Sequence, residues 1–152
     1  MCIRDSPEEV LPTIREGLRA FVGLTAFEDL ARQWVATTAQ AGKLPFVPQE
    51  VGSHWSRDVQ VDVVAINWAQ RDILLGECKW GVNAVDRAIV RELVAVKTPE
   101  VLRVLPDGGA GWHAHHALFA RDEFTDAARE EAASANARLV DLARLDADLR
   151  SM

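Results

Sequence analysis

Residues 61–80 read VDVVAINWAQRDILLGECKW, and they contain the clearest strand pattern in the chain. Two segments rich in Val, Ile and Leu, residues 59–67 and 73–80, lie on either side of a short polar turn, which is the pattern of a β-hairpin. Apolar residues occur on both faces of each segment, as they do in strands that are covered on two sides. The sequence therefore predicts a hairpin at the centre of a sheet.

A four-residue turn at 68–71, a common hairpin length, sets the register of the two strands. The predicted cross-strand pairs are Asn67–Asp72, Ile66–Ile73, Val64–Leu75, Asp62–Glu77 and Gln60–Lys79. Strand alternation then gives one face to Val64, Ile66, Ile73, Leu75, Asp62, Glu77 and Lys79. It gives the other face to Val61, Val63, Ala65, Leu74, Gly76, Cys78 and Trp80. Two acids and a lysine are thus expected together at one end of an apolar hairpin.

Two carboxylates directly opposite each other repel, and more strongly as water is excluded, so a positive group should lie between Asp62 and Glu77. Lys79 is one candidate, and a bound Mg²⁺ is the other, since hard cations take carboxylate oxygens and keep several waters. This set suits metal-assisted phosphodiester hydrolysis: the carboxylates hold the ion, the ion polarises the phosphoryl oxygen and activates a water, and the lysine steadies that water or the developing charge. A structural salt-bridge cluster would show the same spacing, and both interpretations stay open.

The rest of the chain alternates between helical and extended patterns. The predicted helices are 7–22, 26–41, 85–96 (ending before Pro99), 126–135 and a C-terminal helix, and the other predicted strands are 46–55, 112–121 and 138–142. Thr25 and Glu28 have the spacing of a capping box for the second helix. The order α-α-β-β-β-α-β-α-β-α predicts an α/β domain with a mixed central sheet flanked by helices.

The spacing D-x(14)-E-C-K, on a strand pair after a helix that carries a glutamate, resembles the PD-(D/E)xK nuclease superfamily. More narrowly, four segments resemble the C-terminal domain of unknown function that is attached to archaeal-type AAA ATPases. They are Phe27-Glu28, Val51-Gly52, residues 61–65 and residues 76–80. A weaker resemblance to the tail of the same domain runs through residues 117–120, 124–125 and 139–142, so that the likeness covers about residues 18–145.

This resemblance implies a restriction-endonuclease-like core and a role for each residue of the set. Asp62 and Glu77 would be the metal ligands, Lys79 the catalytic lysine and Glu28 an auxiliary acid. Gln60 stands where members often carry a second acid, which bears on whether one metal or two are held. The implied cofactor is Mg²⁺ or Mn²⁺. The implied partners are DNA and an AAA-type ATPase module, either fused upstream or separate.

Length and composition limit the alternatives. The 152 residues suffice for one domain with a buried core, and the net charge of −6 argues against a general-purpose nucleic-acid binder. No apolar run is long enough for a membrane helix, no secretory signal is visible, and two cysteines cannot form a disulfide framework, so we expect a cytoplasmic protein without a membrane partner. Residues 1–6 resemble a translated sequencing adaptor, which indicates a non-native leader before a single domain at 7–152, a C-terminal fragment of a longer ATPase.

Several residues have a simpler interpretation beside the functional one. Glu28 can complete the capping box or face the sheet end. Arg87 and Arg91 are weak candidates for nucleic-acid binding and can equally form a solvated helix face. The histidines His113, His115 and His116 are expected to form a polar strand surface. At the level of the whole chain, the alternatives to a nuclease are a catalytically inactive nucleic-acid-binding or ATPase-regulatory module of the same fold, and a structural oligomerisation domain.

Overall fold

The computed structural model describes residues 7–152, with side chains for residues 16–18 and 20–152. The leader expected at residues 1–6 lies outside this part of the chain. Five strands form one sheet in the order β1-β2-β3-β4-β5. Their bounds are β1 (Glu50–Trp55), β2 (Gln60–Asn67), β3 (Asp72–Lys79), β4 (His113–Ala120) and β5 (Arg138–Asp141). Strands β1, β2 and β3 are antiparallel, whereas β4 and β5 run parallel to β3, so the predicted mixed sheet is confirmed.

The strands lie close to their predicted positions, with one larger difference. The first strand begins at Glu50 instead of residue 46, because Pro48 has no N–H to donate to a neighbouring strand. The helices are α1 (Pro7–Gln40), α2 (Arg87–Arg91), α3 (Thr98–Arg103), α4 (Asp126–Ser134) and α5 (Leu142–Ser151), with a π-helical segment at Glu92–Lys97 and a 3₁₀ turn at Pro106–Gly109. Of the helices in the described part of the chain, none combines the length and apolarity needed to cross a bilayer.

The two helices predicted at 7–22 and 26–41 form one continuous helix, α1. Gly23, which follows the predicted end of the first helix, lies inside α1; a Cβ there would lie 2.5 Å from Nε1 of the Trp80 indole, so the glycine makes room for that ring. The predicted capping box at Thr25 is wrong because no helix begins there. Thr25 lies inside the helix, and its hydroxyl donates to the carbonyl of Phe21 at 3.0 Å. Glu28 therefore does not cap the start of a helix.

The helix predicted to end before Pro99 instead continues through it. The π-helical segment lies between α2 and α3, and Pro99 falls in the first turn of α3, where a missing N–H costs little. Both the backbone N–H and the hydroxyl of Thr98 donate to the carbonyl of Leu93. The hydroxyl therefore adds a side-chain hydrogen bond where the π-helical segment meets α3.

Apolar cores cover both faces of the sheet, as predicted for the hairpin. The α3-side core includes Ile66, Ile73, Leu75, Leu93, Val101, Leu118 and Ala128. The α1-side core includes Phe27, Trp34, Val63, Leu74, Cys78, Phe119 and Leu145. The predicted division of the hairpin residues between two faces is wrong at Val61, which packs in the α3-side core although Val63 packs in the α1-side core. The alternation of β2 is therefore broken at the residue between them, Asp62.

Candidate active site

Strands β2 and β3 separate at one end of the sheet. Their pairing follows the predicted register from Asn67–Asp72 as far as Val63–Gly76 and ends there. Beyond this point β2 stays paired with β1, and β3 stays paired with β4. The predicted pairs Asp62–Glu77 and Gln60–Lys79 are therefore not formed, because each strand follows its other neighbour. We call the gap between the two strand ends the β2–β3 opening.

Asp62 places its carboxylate in the β2–β3 opening. Its Oδ2 accepts the backbone N–H of Cys78 at 2.9 Å, which connects β2 to β3 through a side chain where no ladder pair is present. Gln60 occupies the position where members of the resembled superfamily often carry a second acid. Its Nε2 lies 3.4 Å from Asp62 Oδ1, which is long for a hydrogen bond. Asp62 is only 8% exposed, so it presents a charge in a site with little water.

Glu77 lies on the β3 side of the opening and pairs with two lysines. Its Oε1 is 3.1 Å from Lys79 Nζ, and its Oε2 is 2.8 Å from Lys97 Nζ. Glu77 is 6% exposed as a residue, while the side chain of Lys79 is 40% exposed and that of Lys97 only 16%. The site therefore holds one accessible ammonium group and one that is largely enclosed.

Burial and neighbouring charges shift the titration of these groups. Desolvation raises the pKa of Asp62, and the charge of Glu77 adds to this, against the lowering effect of the Cys78 hydrogen bond. Burial alone would lower the pKa of Lys79, but the charge and hydrogen bond of Glu77 outweigh it, and the pKa of Lys79 is raised. The site thus favours the charged form of Lys79 and disfavours the charged form of Asp62.

Helix α1 contacts the backbone of Asp62 through Arg32. Arg32 donates to the backbone carbonyl of Asp62 at 2.8 Å and to Asp29 at 2.6 Å, so it fixes the backbone that carries Asp62. The pKa of Glu28, also on α1, is raised by burial first and then by the charge of Asp62. The role of Glu28 as an auxiliary acid stays a prediction.

Lys97 is the site residue whose contact the sequence did not predict. On an α-helical pattern it belongs with Arg87 and Arg91 as one of several basic residues spread along a helix. The π-helical segment that ends at Lys97 changes the register, and the side chain reaches Glu77. The sequence signal for this contact is the position of Lys97, a basic residue immediately before Thr98-Pro99.

Arg87 and Arg91 lie on α2. Arg87 is its exposed first residue, whereas Arg91 Nε lies 3.0 Å from Glu131 Oε2 on α4. The guanidinium of Arg91 therefore already has an anionic partner within the protein. Contact of either residue with nucleic acid stays a prediction.

The histidines of β4 lie away from the opening. His115 Nε2 is 3.0 Å from Asp72 Oδ1, and His113 lies 3.8 Å from the same oxygen. The expectation of a polar strand surface is wrong for His116, which is buried with its Nε2 2.9 Å from the Thr98 hydroxyl. Burial, with a smaller effect of His115, lowers the pKa of His116 to about 4.

The carboxylates of Asp62 and Glu77 are oxygen donors of the kind that Mg²⁺ and Mn²⁺ bind. Within the described residues, no group of three or more His, Cys, Asp or Glu side chains is arranged to hold a metal ion. A cation here would therefore rest on two carboxylates and keep several waters, which is usual for Mg²⁺. The chemistry of these donors suits a divalent ion, which would compete with Lys79 and Lys97 for Glu77.

A family profile described as "Archaea bacterial proteins of unknown function", DUF234, matches residues 2–91, more than half of the 152-residue chain. No curated protein matches the chain. The MspJI restriction endonuclease, solved in complex with a 27-mer oligonucleotide, is similar with a TM-score of 0.52 and 19% identity. That likeness covers 99% of this chain and 35% of the MspJI chain, so this chain spans about a third of that protein.

Two further solved structures are similar at lower scores. A repair endonuclease from Pyrococcus abyssi has a TM-score of 0.42 and 15% identity over 93% of this chain and 49% of its own. The protein of unknown function AF1548 has a TM-score of 0.43 and 16% identity over 74% of this chain and 58% of its own. The roles of Asp62, Glu77 and Lys79 stay predictions. The chain belongs to the DUF234 family, and it shares a restriction-endonuclease-like fold with MspJI.

Proposed function

We propose that this chain is a phosphodiester hydrolase that acts on DNA and depends on Mg²⁺ or Mn²⁺. The observation that supports the proposal is the end of the β2–β3 ladder at Val63–Gly76. Beyond it, the carboxylate of Asp62 accepts the N–H of Cys78, and the residues on either side of Cys78, Glu77 and Lys79, form an ion pair.

Each residue of the site has a distinct task in this proposal. Asp62 and Glu77 would hold the cation, which when bound polarises a phosphoryl oxygen and lowers the pKa of a water. Lys79 is the accessible ammonium, and it donates hydrogen bonds to the attacking water or to the charge that develops on the phosphate. Its raised pKa keeps it charged at neutral pH.

Glu28 and Lys97 support that arrangement from two helices. Burial and the charge of Asp62 raise the pKa of Glu28, so we assign it the handling of a proton or of a cation-bound water at the α1 side. Lys97 holds the second oxygen of Glu77 and thereby orients the carboxylate. Gln60 offers an amide in place of a second acid, and we propose that one cation is held.

The choice of DNA as substrate rests on resemblance more than on charge. The MspJI chain, which shares the fold, was solved with an oligonucleotide. We also propose that residues 7–152 form one domain and that this domain works with an AAA-type ATPase module, fused or separate. This part of the proposal extends the resemblance of the hairpin motif to the ATPase-associated domain.

One observation favours the alternative of a non-catalytic DNA-binding or ATPase-regulatory module. Both oxygens of Glu77 are already paired with lysines, which is also how a structural ion cluster satisfies a buried acid. The two functions differ in turnover and not in binding, so a single assay with matched variants separates them.

The test is cleavage of supercoiled plasmid and of branched DNA in the presence and absence of Mg²⁺ or Mn²⁺. We expect metal-dependent cleavage by the wild-type chain and a loss of about 100-fold or more in Lys79→Ala and Asp62→Ala, because each removes a group that acts on the reacting phosphate. Lys43→Ala and Asp58→Ala remove the same charges at exposed positions and should cleave as the wild type does.

Cleavage that persists in both site variants would place the activity elsewhere and overturn the proposal. DNA that is bound but not cut under any metal condition would favour the non-catalytic module.

A further inference from the structure

Arg121 follows β4 at the same end of the sheet as the β2–β3 opening. Because β3 and β4 run parallel, Ala120 lies beside Lys79, and the N–H of Arg121 donates to the carbonyl of Lys79 at 2.9 Å. The backbone of Arg121 is therefore one hydrogen bond away from that of Lys79. The guanidinium lies toward α1, where Ala20 and Trp80 line a shallow groove with it.

Trp80 supports the guanidinium of Arg121. The Arg121 Cζ lies over the indole, 4.9 Å from its centroid. The same indole packs against Phe27 of α1, with ring centroids 5.2 Å apart, and lies so close to Gly23 that no Cβ would fit there. A guanidinium held on a fixed aromatic face keeps its N–H groups free at its edge, where they can donate in pairs to a planar or tetrahedral anion.

Among the side chains that the structure describes, Arg121 has no acidic partner within ion-pair distance, although Glu16 lines the same groove. Many other arginines of the described residues do have one: Arg32, Arg71, Arg91, Arg103, Arg144 and Arg150. Arg121 thus combines a fixed position, an open hydrogen-bonding edge and proximity to Lys79.

We propose that Arg121 binds a phosphate of the DNA backbone next to the phosphate that is cut, with Trp80 as its support. The inference rests on the proposed function and adds a binding subsite to it. A chain with a net charge of −6 needs local positive groups to hold a polyanion, and Lys79 and Lys97 are both engaged with Glu77. Arginine also suits phosphate because its fork of donors matches two phosphate oxygens.

The test is the affinity of the full chain for a fluorescein-labelled duplex oligonucleotide, measured by anisotropy over a series of NaCl concentrations. The buffer contains Ca²⁺, which takes the same oxygen ligands as the proposed cation. We expect Arg121→Ala to bind about tenfold more weakly and to lower the salt dependence by about one released ion. Arg121→Lys keeps the charge without the fork and should lie between the two.

Arg129→Ala is the matched control, because Arg129 is an exposed arginine of α4 and the change in charge is the same. We expect it to bind as the wild type does. Equal affinity and equal salt dependence of Arg121→Ala and Arg129→Ala would overturn the Arg121 subsite while leaving the proposed function intact. A wild-type chain that binds no DNA would overturn both.

Discussion

Glu77 pairs with two lysines, and only one of these contacts follows from a simple periodicity. Lys79 lies two residues away on the same strand, so strand alternation places it on the face of Glu77. Lys97 comes from a different part of the chain, and its contact depends on the π-helical register. The sequence therefore predicts the first ion pair, whereas the second becomes visible only in three dimensions.

Asp62 shows a second limit at the scale of the residue. Strand alternation predicts that it lies opposite Glu77, but that ladder pair is not formed, and Glu77 acts on Asp62 only through its charge, which raises the pKa of Asp62. The carboxylate of Asp62 instead accepts the backbone N–H of Cys78 on β3, in the gap between the two strands. No pattern of apolar residues reveals such a gap, since both strands remain well paired with their other neighbours.

His116 gives a prediction for pH dependence. The Thr98 hydroxyl donates its one hydrogen to Leu93, so it must accept from His116 Nε2, and the ring is neutral with its proton on that nitrogen. Burial lowers the pKa of His116 to about 4, below the value of about 6.5 in the unfolded chain. The unfolded state then binds more protons between these values, and the free energy of unfolding falls as pH decreases from about 6.5 to about 4.

Urea unfolding at about pH 7 and about pH 5 measures this effect against a His116→Gln variant, whose amide can still donate to Thr98. We expect the wild type to lose about 2 kcal/mol more than the variant over that interval. Asp62 and Glu28, whose raised pKa values act in the opposite sense, are present in both proteins and cancel in the comparison. Equal losses would show that His116 does not have a lowered pKa.

At the scale of elements, the hairpin and the helices around it differ in how well the sequence predicts them. The pairing of β2 with β3 follows from alternation and turn length, and it is confirmed up to Val63–Gly76. The continuity of α1 through Gly23 depends on a ring from another element, Trp80, and the passage of the helix through Pro99 depends on a change of register. Gly23 and Pro99 therefore do not mark helix ends, because the packing of Trp80 and the change of helical register account for them instead.

Gly76 lies at the last ladder pair before the opening, and it provides a test of this junction. A Cβ at Gly76 would lie 2.9 Å from the Cβ of Val63 and 3.2 Å from the ring of Phe119. We expect Gly76→Ala to lower the free energy of unfolding by about 1–3 kcal/mol, since the packed core must shift to admit the methyl group. Denaturant unfolding measures this directly.

Gly52→Ala on β1 is the control, because a Cβ there would meet no atom within 4 Å. We expect its free energy of unfolding to stay within about 0.5 kcal/mol of the wild type. If the two variants had equal stability, the tight junction at Gly76 would be contradicted.

At the scale of the whole molecule, an acidic chain is proposed to act on a polyanion. The net charge of −6 is compatible with this only if the positive groups are concentrated where the substrate lies. Arg121 is placed in this way, at the end of the sheet where β2 and β3 separate, whereas Lys79 and Lys97 are paired with Glu77. Composition alone argues against such a substrate, because it averages over the surface and carries no information about position.

The β2–β3 opening is proposed to hold a divalent cation on Asp62 and Glu77. The most direct measurement is an anomalous difference map from crystals of the chain grown with Mn²⁺, collected beside crystals of the Asp62→Asn variant. The account predicts one anomalous peak in coordinating contact with both carboxylates in the wild type, displacement of an ammonium group from Glu77, and loss of the peak in the variant. A wild-type map without a peak at this place, with Lys79 and Lys97 still on Glu77, would contradict it.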